Sequence, residues 1–450
     1  MTNRRKGSAD ALYTLEGNPG IGRIIPYSLQ QVLAMFITNI VPITVIGMMC
    51  RPQLTEGQML NNTQTAMIVA GFATILQATT LWKIGSGLPV FMGTSYTFMI
   101  PAAIVGSKYG YGGVIGAVLI GGIAEAGLAL GVRYWRKLIP PVLSAVVVMA
   151  IGLSLLPVAG NSCAGNTDAA DFGSWQNLMI ALMTLAAALA WMHCTRGFKK
   201  QLGVLIGFFA GYIAALAFGK VDLSRITQGR WFSLPQILPY APEFHADAII
   251  SLLIIYLVSA TETMGDSYAI TCGTLHREPT MEETRGALMT DGLCSTLSGL
   301  LGGTPVTSYS ENVGLTILTK VINRNVMRVG GLILILSGLF PPLGRLISTT
   351  PKPVIGGVLM LVTGQIVVSG IQMFSDAGFT ARNKQIASIS LALGIGLTSS
   401  SAIWAQMPEA IQTVFGGNPM AVVFVTGFVL NLILPRKQEE DEAAGRNDKE

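Results

Sequence analysis

Charge is what this chain has least of. Asp, Glu, Lys and Arg make up 12% of its 450 residues against 51% apolar ones, and the mean hydropathy is +0.55. A folded surface of that size with so few charges could not be kept in water, so a bilayer must solvate it. Disorder, a disulfide scaffold and an ordinary water-soluble enzyme are excluded. Cysteine is scarce too: Cys50, Cys163, Cys194, Cys272 and Cys294 are scattered without CxxC spacing and read as small core fillers, not a framework. The three histidines, His193, His245 and His276, fall at span ends or in loops without metal-ligand spacing, so no metal and no cofactor is expected. GxxxxGK[ST], GxSxG and HExxH are missing, which leaves neither an ATP-driven pump nor an intramembrane hydrolase, and no catalytic residue to name. Residues 1–25 are polar and basic with no apolar run, so no cleavable leader is expected.

Apolar runs and glycine are plentiful. The 52 glycines and 21 prolines suit closely packed or broken membrane helices. Stretches long enough to span or half-span a bilayer lie at 28–50, 64–83, 88–107, 111–132, 139–160, 174–194, 202–219, 248–272, 286–303, 304–321, 327–348, 353–374, 385–401 and 417–435, fourteen in all. The fold class expected is therefore an all-α polytopic membrane protein. The third and tenth spans stand apart. FMGTSYTFMIPA (91–102) and TPVTSYSEN (304–312) are rich in hydroxyl, aromatic and β-branched residues and carry Gly93, Pro101 and Pro305. Each predicts an extended stretch leading into a short half-helix, tolerable only inside protein. Interrupted spans at matching places in two groups of seven predict a 7+7 inverted repeat with a binding site at the interruptions.

The basic residues set the orientation. With fourteen spans, one face receives only Arg51, Lys108, Lys220, Arg225, Arg230, Arg345 and Lys352, and the other receives most of the 29 lysines and arginines. By the positive-inside rule both termini are cytoplasmic. The last residues, RKQEEDEAAGRNDKE (436–450), read as a solvated tail.

Acidic residues inside the spans are few: Glu125, Glu262, Asp266, Asp291 and Glu311. Each costs roughly 3 kcal/mol or more near the bilayer centre, which makes each a functional candidate. Glu262 and Asp266 are four apart, so a helix stacks them on one face, where one would hold a proton or a cation or donor would lie between them. The plain alternative is a pair bound to backbone amides. Asp291 adjoins Gly292, where another backbone can come close, and either supports the neighbouring site or packs helices. Glu311 opens the half-helix after the tenth span's extended stretch, where capping is its plain alternative. Glu125, among Ala, Gly and Leu, predicts a packing or hydrogen-bond role.

ENVGLTILTK (311–320) resembles the signature of the nucleobase–ascorbate transporter family. Glu311, Asn312, Gly314, Thr319 and Lys320 fill its fixed places. ETMGD (262–266), Asp291-Gly292, GTSYTF (93–98) and LQQVLAMF (29–36) with Val41-Pro42 extend the resemblance over the chain apart from its tails. The resemblance implies a core domain (28–132 and 248–348) and a gate domain (133–220 and 349–435) between tails 1–27 and 436–450. It implies substrate contacts from Glu262, Glu311 and the backbone around Ser95 and Tyr96. Proton coupling would fall to Glu262, Asp266 or Asp291, and site architecture to Asn312, Gly314, Gly292, Gln31 and Thr319. The implied function is a symporter, not an enzyme, moving a nucleobase with H+ (or Na+) by an elevator-like alternating access in the inner membrane. Its partners would be the small-molecule nucleobase, the lipid bilayer and a second copy of the chain, with no nucleic acid. Two departures matter. Many members have Gln-His where this chain has Gln30-Gln31, and Glu311 resembles uracil carriers while ETMGD resembles the purine branch. An oxopurine such as xanthine or uric acid is expected ahead of uracil. An anion carrier of the same architecture is a third possibility, disfavoured by the signature.

Overall fold

The computed structural model describes residues 11–165, 169–221 and 230–435; the expected C-terminal tail and the first ten residues of the N-terminal one lie outside the described residues. Helix α1 (Ile21–Met35) begins ahead of residue 28 and ends early, followed by α2 (Val41–Met49). One unbroken span was expected over 28–50. Pro42, in the first turn of α2, has no N–H to donate and favours a helix start, which accounts for the break at 36–40. Helix α3 (Glu56–Gln77) also starts before its expected bound of 64. Thr55 and Gln58 form a reciprocal capping box there, and the polar run Asn61–Thr65 is buried against neighbours instead of lying in a loop.

Strand β1 (Met92–Thr94) leads into α4 (Met99–Leu130), a helix interrupted at Gly110 (φ 71°, ψ −179°), where the third and fourth expected spans join. Then come α5 (Pro141–Ala164), α6 (Trp175–Cys194) and α7 (Gly203–Ala217). The second half runs α8 (Ala246–Ile270), α9 (Met281–Leu300), β2 (Val306–Ser308), α10 (Ser310–Thr319) and α11 (Arg324–Gly338). It closes with α12 (Pro341–Ser348), α13 (Lys352–Ala377), α14 (Ala381–Thr398), α15 (Glu409–Phe415) and α16 (Pro419–Ile433). By length and composition, five described helices can cross a membrane, or up to seven if two bent pairs each count as one span. The chain is a multi-pass membrane protein. The first bent pair corrects the single span expected at 327–348, since Arg324–Gly338 turns by 79° into Pro341–Ile347. The second adds Glu409–Phe415, outside any expected span, turning by 90° into Pro419–Ile433, which matches the span expected at 417–435. Proline within the first two positions of the following helix cannot continue the preceding hydrogen-bond ladder.

Many packings pair one half of the chain with the other, α9 and α8 against α4, α11 against α3 and α1, α13 against α5 and α6, and α14 and α16 against α5, while α6 packs on α7 and α14 on α16 within a half. The helices thus fall into two packed groups, α1–α4 with α8–α11 and α5–α7 with α13, α14 and α16.

The two strands pair antiparallel, Met92 with Ser308, Gly93 with Thr307 and Thr94 with Val306. Ser95 N–H donating to Pro305 O (3.0 Å) and Tyr309 N–H donating to Phe91 O (2.9 Å) extend the pairing. A two-stranded ribbon leaves outer edges that membrane interior cannot satisfy. Side chains do so here: Asn39 Oδ1 accepts from Thr94 N (2.7 Å), Thr74 Oγ1 from Met92 N (3.0 Å) and Ser295 Oγ from Val306 N (3.1 Å). Removing the first of these, by Asn39→Ala, strands a buried N–H and should cost about 1–3 kcal/mol. A lower melting temperature of the detergent-purified variant would register it, and an unchanged one would show that the ribbon does not depend on this cap.

Candidate functional site

The ribbon brings both extended stretches, the α1–α2 break and one face of α8 together. Glu262, half-buried on α8, accepts from Thr97 Oγ1 through Oε2 (2.8 Å). One turn later Asp266 Oδ2 accepts from Ser308 (2.5 Å) and Ser310 (3.0 Å). The two acids do share a face, but each is held by hydroxyls of a different broken span, and no donor lies between them. The donors are hydroxyls and not backbone amides, and among the described residues no Lys, Arg or His forms an ion pair with any of the five intramembrane acids.

Glu311 stands in the first turn of α10 without capping it. Its Oε2 faces Thr38 Oγ1 at 3.4 Å, across the α1–α2 break, and Tyr309 at the N-cap makes no side-chain cap bond. Tyr96 OH donates to the Thr38 carbonyl (3.0 Å), so the segment 95–97 joins the two halves of the site: Thr97 holds Glu262, and Tyr96 holds the loop that reaches Glu311. Both carboxylates are half-buried, and each has a second oxygen with no hydrogen bond among the described residues. Ser95 Oγ, in the segment between them, is buried without a hydrogen-bond partner among the described residues. Gly93 is required by the approach of the second stretch, since a Cβ there would lie 2.6 Å from the Tyr309 ring.

The remaining expected residues form a support. Asn312 Nδ2 donates to both Gln31 Oε1 (2.7 Å) and Gln31 O (3.0 Å), and Gln31 Nε2 donates to Thr316 Oγ1 (3.0 Å). Gln31 therefore clamps α1 to the signature helix, accepting through its side-chain oxygen and donating through its NH2. Gln31→Leu and Asn312→Leu should each reduce transport strongly, and the double variant little further, because they remove one shared contact. Additive losses in uptake would show that the pair works independently. Thr319 Oγ1 donates to Leu315 O (2.9 Å) within α10, an end-of-helix role, and Gly314 faces open space with no steric need for glycine. Asp291 accepts from Thr263, in a very short contact, and from Thr307 (3.4 Å), and Gly292 lies against the α4 backbone as its residue type suggested.

Thr38, Thr97, Thr263, Ser308 and Ser310 are the partners that sequence reasoning missed. Thr97, Ser308 and Ser310 carried one signal, the density of hydroxyls in TSYT (94–97) and TSYS (307–310), and Thr38 and Thr263 carried none. Farther off, a cavity of about 320 Å³ opens between Val45–Gln53 and Val158–Gly165 and holds none of the five acids.

The family model Xan_ur_permease, a permease family, matches residues 22–403. A xanthine permease of Bacillus subtilis is 32% identical over 416 residues, covering 92% of this chain and 94% of its own. The uric acid permease PucK of the same organism is 31% identical over 424 residues, covering 92% and 96%. In structure, the transmembrane domain of a cyanobacterium bicarbonate transporter, BicA, superposes with TM-score 0.55 at 15% identity, covering 90% of this chain and 96% of that one. At that identity the likeness is one of fold.

Proposed function

Because the chain belongs to the Xan_ur_permease family of permeases, we propose that it is a secondary active nucleobase transporter that couples uptake of an oxopurine, xanthine or uric acid, to protons. The observation that carries this is the pair of half-open carboxylates, Glu262 and Glu311, on either side of segment 95–97. An oxopurine edge presents ring N–H donors beside C=O acceptors. A carboxylate oxygen takes the N–H, and the Ser95 hydroxyl can serve a carbonyl. A base with another donor pattern would leave these buried groups unpaired and be rejected.

The relatives named as xanthine and uric acid permeases match along nearly their whole length, which supports the purine choice. Acids lacking any basic partner support protons as the coupling ion, since a proton neutralises a buried carboxylate without a counter-ion. The fold in this proposal is fourteen spans in a 7+7 inverted repeat. The core (28–132, 248–348) carries the substrate and moves past the gate (133–220, 349–435), as the two packed groups of helices suggest. The chain would work as a homodimer in the cell membrane with both termini cytoplasmic.

Cells expressing the protein should take up labelled xanthine saturably, with the uptake collapsing on addition of an uncoupler and persisting when sodium is replaced. Conductance without saturable uptake would overturn the proposal in favour of a channel. Glu311 itself favours a second substrate, uracil, because an ionised carboxylate can accept but not donate.

A further inference from the structure

One intramembrane acid has no part in that scheme. Glu125 lies on α4, fully buried, and neither of its carboxylate oxygens meets a hydrogen-bond donor among the described residues. Helices α4 and α9 cross there at near contact. A Cβ on Gly292 would sit 2.3 Å from Ala126 N and 2.5 Å from Gly122 O. This crossing brings Asp291, the neighbour of Gly292, within electrostatic reach of Glu125. Asp291 also has an oxygen to spare: Oδ2 is bound by Thr263 and Thr307, whereas Oδ1 is buried without a partner among the described residues. The other titratable groups facing the pair are Glu262 and Asp266 on α8, both within electrostatic reach of Asp291, Tyr256 on α8, whose hydroxyl is occupied in donating to Val118 O (3.1 Å), and the Cys294 thiol on α9. No basic side chain among the described residues is paired with either acid.

Two neighbouring buried carboxyls, with three oxygens lacking donors and no basic side chain paired with them among the described residues, form a poor resting place for two negative charges. A proton held by either of them removes the repulsion. The pair is also wired to the site. Ser308 Oγ lies 2.5 Å from Asp266 Oδ2 and 3.4 Å from Thr263 Oγ1, and Thr263 donates to Asp291.

We infer that Glu125 and Asp291 are a second proton-holding pair behind the substrate site, loaded from Asp266 through the Ser308 and Thr263 hydroxyls. The step balances as a relay. The proton leaving Asp266 joins Ser308 Oγ, the Ser308 proton passes to Thr263 Oγ1, and the Thr263 proton passes to Asp291. Each hydroxyl ends with one proton, Asp266 becomes a carboxylate, and the Asp291–Glu125 pair gains the proton. Glu125 touches no substrate in this scheme, so it governs coupling and not recognition. The inference rests on the proposed proton-coupled transport.

The test uses the purified full chain in proteoliposomes, with Glu125→Gln as an isosteric side chain that holds no exchangeable acid proton. Three quantities are read: accumulation of labelled xanthine driven by an imposed pH gradient, xanthine counterflow without a gradient, and the infrared carbonyl band of a buried carboxylic acid. The expected result is gradient-driven accumulation reduced on the order of tenfold or more, continuing counterflow, and loss of the infrared band. Thr263→Val, which cuts the relay but leaves both acids, should reduce accumulation similarly and keep the band. Gradient-driven accumulation at the wild-type level in Glu125→Gln, or an undiminished band, would overturn the inference. Should the wild type move no xanthine under a pH gradient, the transport proposal fails by itself, and the infrared arm, which needs no substrate, still decides whether Glu125 holds a proton. Should Glu125→Gln not fold, Glu125→Asp keeps the acid: coupled uptake by it supports the inference, and counterflow with coupling as complete in a Glu125→Ala protein sinks it.

Discussion

Glu262→Gln is expected to reach the membrane in normal amount and to fail in xanthine uptake. The amide carbonyl of glutamine can still accept from Thr97 Oγ1, as Oε2 does at 2.8 Å, so the link between α8 and the first broken span survives. The loss falls on the other oxygen. That oxygen has no bond among the described residues, and in the variant its place goes to an NH2 group, which meets a substrate N–H donor to donor. Removing an acceptor from a buried site costs on the order of 1–3 kcal/mol, more when the acceptor is charged. At 1.4 kcal/mol per decade, this is roughly a five- to 150-fold weakening. Labelled uptake together with an immunoblot of the membrane fraction makes the measurement. Uptake that stayed near normal and still collapsed with an uncoupler would remove Glu262 from the site altogether. Asp266, already bound by two serine hydroxyls, offers less to a ligand, so Asp266→Asn should spare affinity more than coupling.

The acids were legible in the sequence because a carboxylate inside an apolar run carries a cost that demands a reason. Their partners were not. Most threonines in these helices donate to the carbonyl one turn back, as Thr74 does to Ala70 O and Thr184 to Ile180 O. Nothing local distinguishes those from Thr263, which turns to a carboxylate only because another segment places it there. The broken third and tenth spans could be read because hydroxyl and β-branched residues replace the helix formers over several positions. That they pair as a ribbon, with Gly93 beneath the Tyr309 ring, depends on two segments far apart in the chain. The break at 36–40 escaped for the opposite reason. Phe36, Ile37, Ile40 and Val41 keep the stretch apolar, so a hydropathy window passes over it, although Thr38 and Asn39 there reach Glu311 and the β1 edge. The early start of α3 was missed because Asn61–Thr65 looks like a loop unless its buried partners are known: Asn61 Nδ2 and Thr65 Oγ1 donate to Leu301 O, and Gln64 Nε2 donates to Gly338 O.

Position 311 should decide which base is carried. In Glu311→Gln, xanthine or uric acid uptake should hold or rise while any uracil uptake falls several-fold. The wild-type carboxylate has one oxygen facing Thr38 at 3.4 Å and presents the other as an acceptor. Ionised, it can meet only an N–H. Uracil has two ring N–H groups, and Glu262 and Glu311 could take one each. An oxopurine must offer Glu311 an N–H too, such as that of its five-membered ring, or Glu311 must itself carry a proton. Glutamine relaxes this demand, because it donates through NH2 and accepts through its carbonyl, matching both faces of the imidazole ring of a purine. One hydrogen bond gained or lost in such a site is worth about 0.5–1.5 kcal/mol net, and a buried group left unpaired costs about 1–3. The discrimination should therefore shift by roughly an order of magnitude, not merely by tens of percent. The measurement is competition of labelled xanthine uptake by unlabelled uracil, uric acid, guanine and hypoxanthine, run on the wild type and on Glu311→Gln. Strong uracil uptake with no xanthine uptake in the wild type would overturn the purine assignment. A gain of purine uptake in the variant would then mark this one carboxylate as the residue that had excluded it. Unchanged competition profiles in both proteins would place the substrate out of reach of Glu311 and move the second contact to the Ser95–Thr97 segment alone.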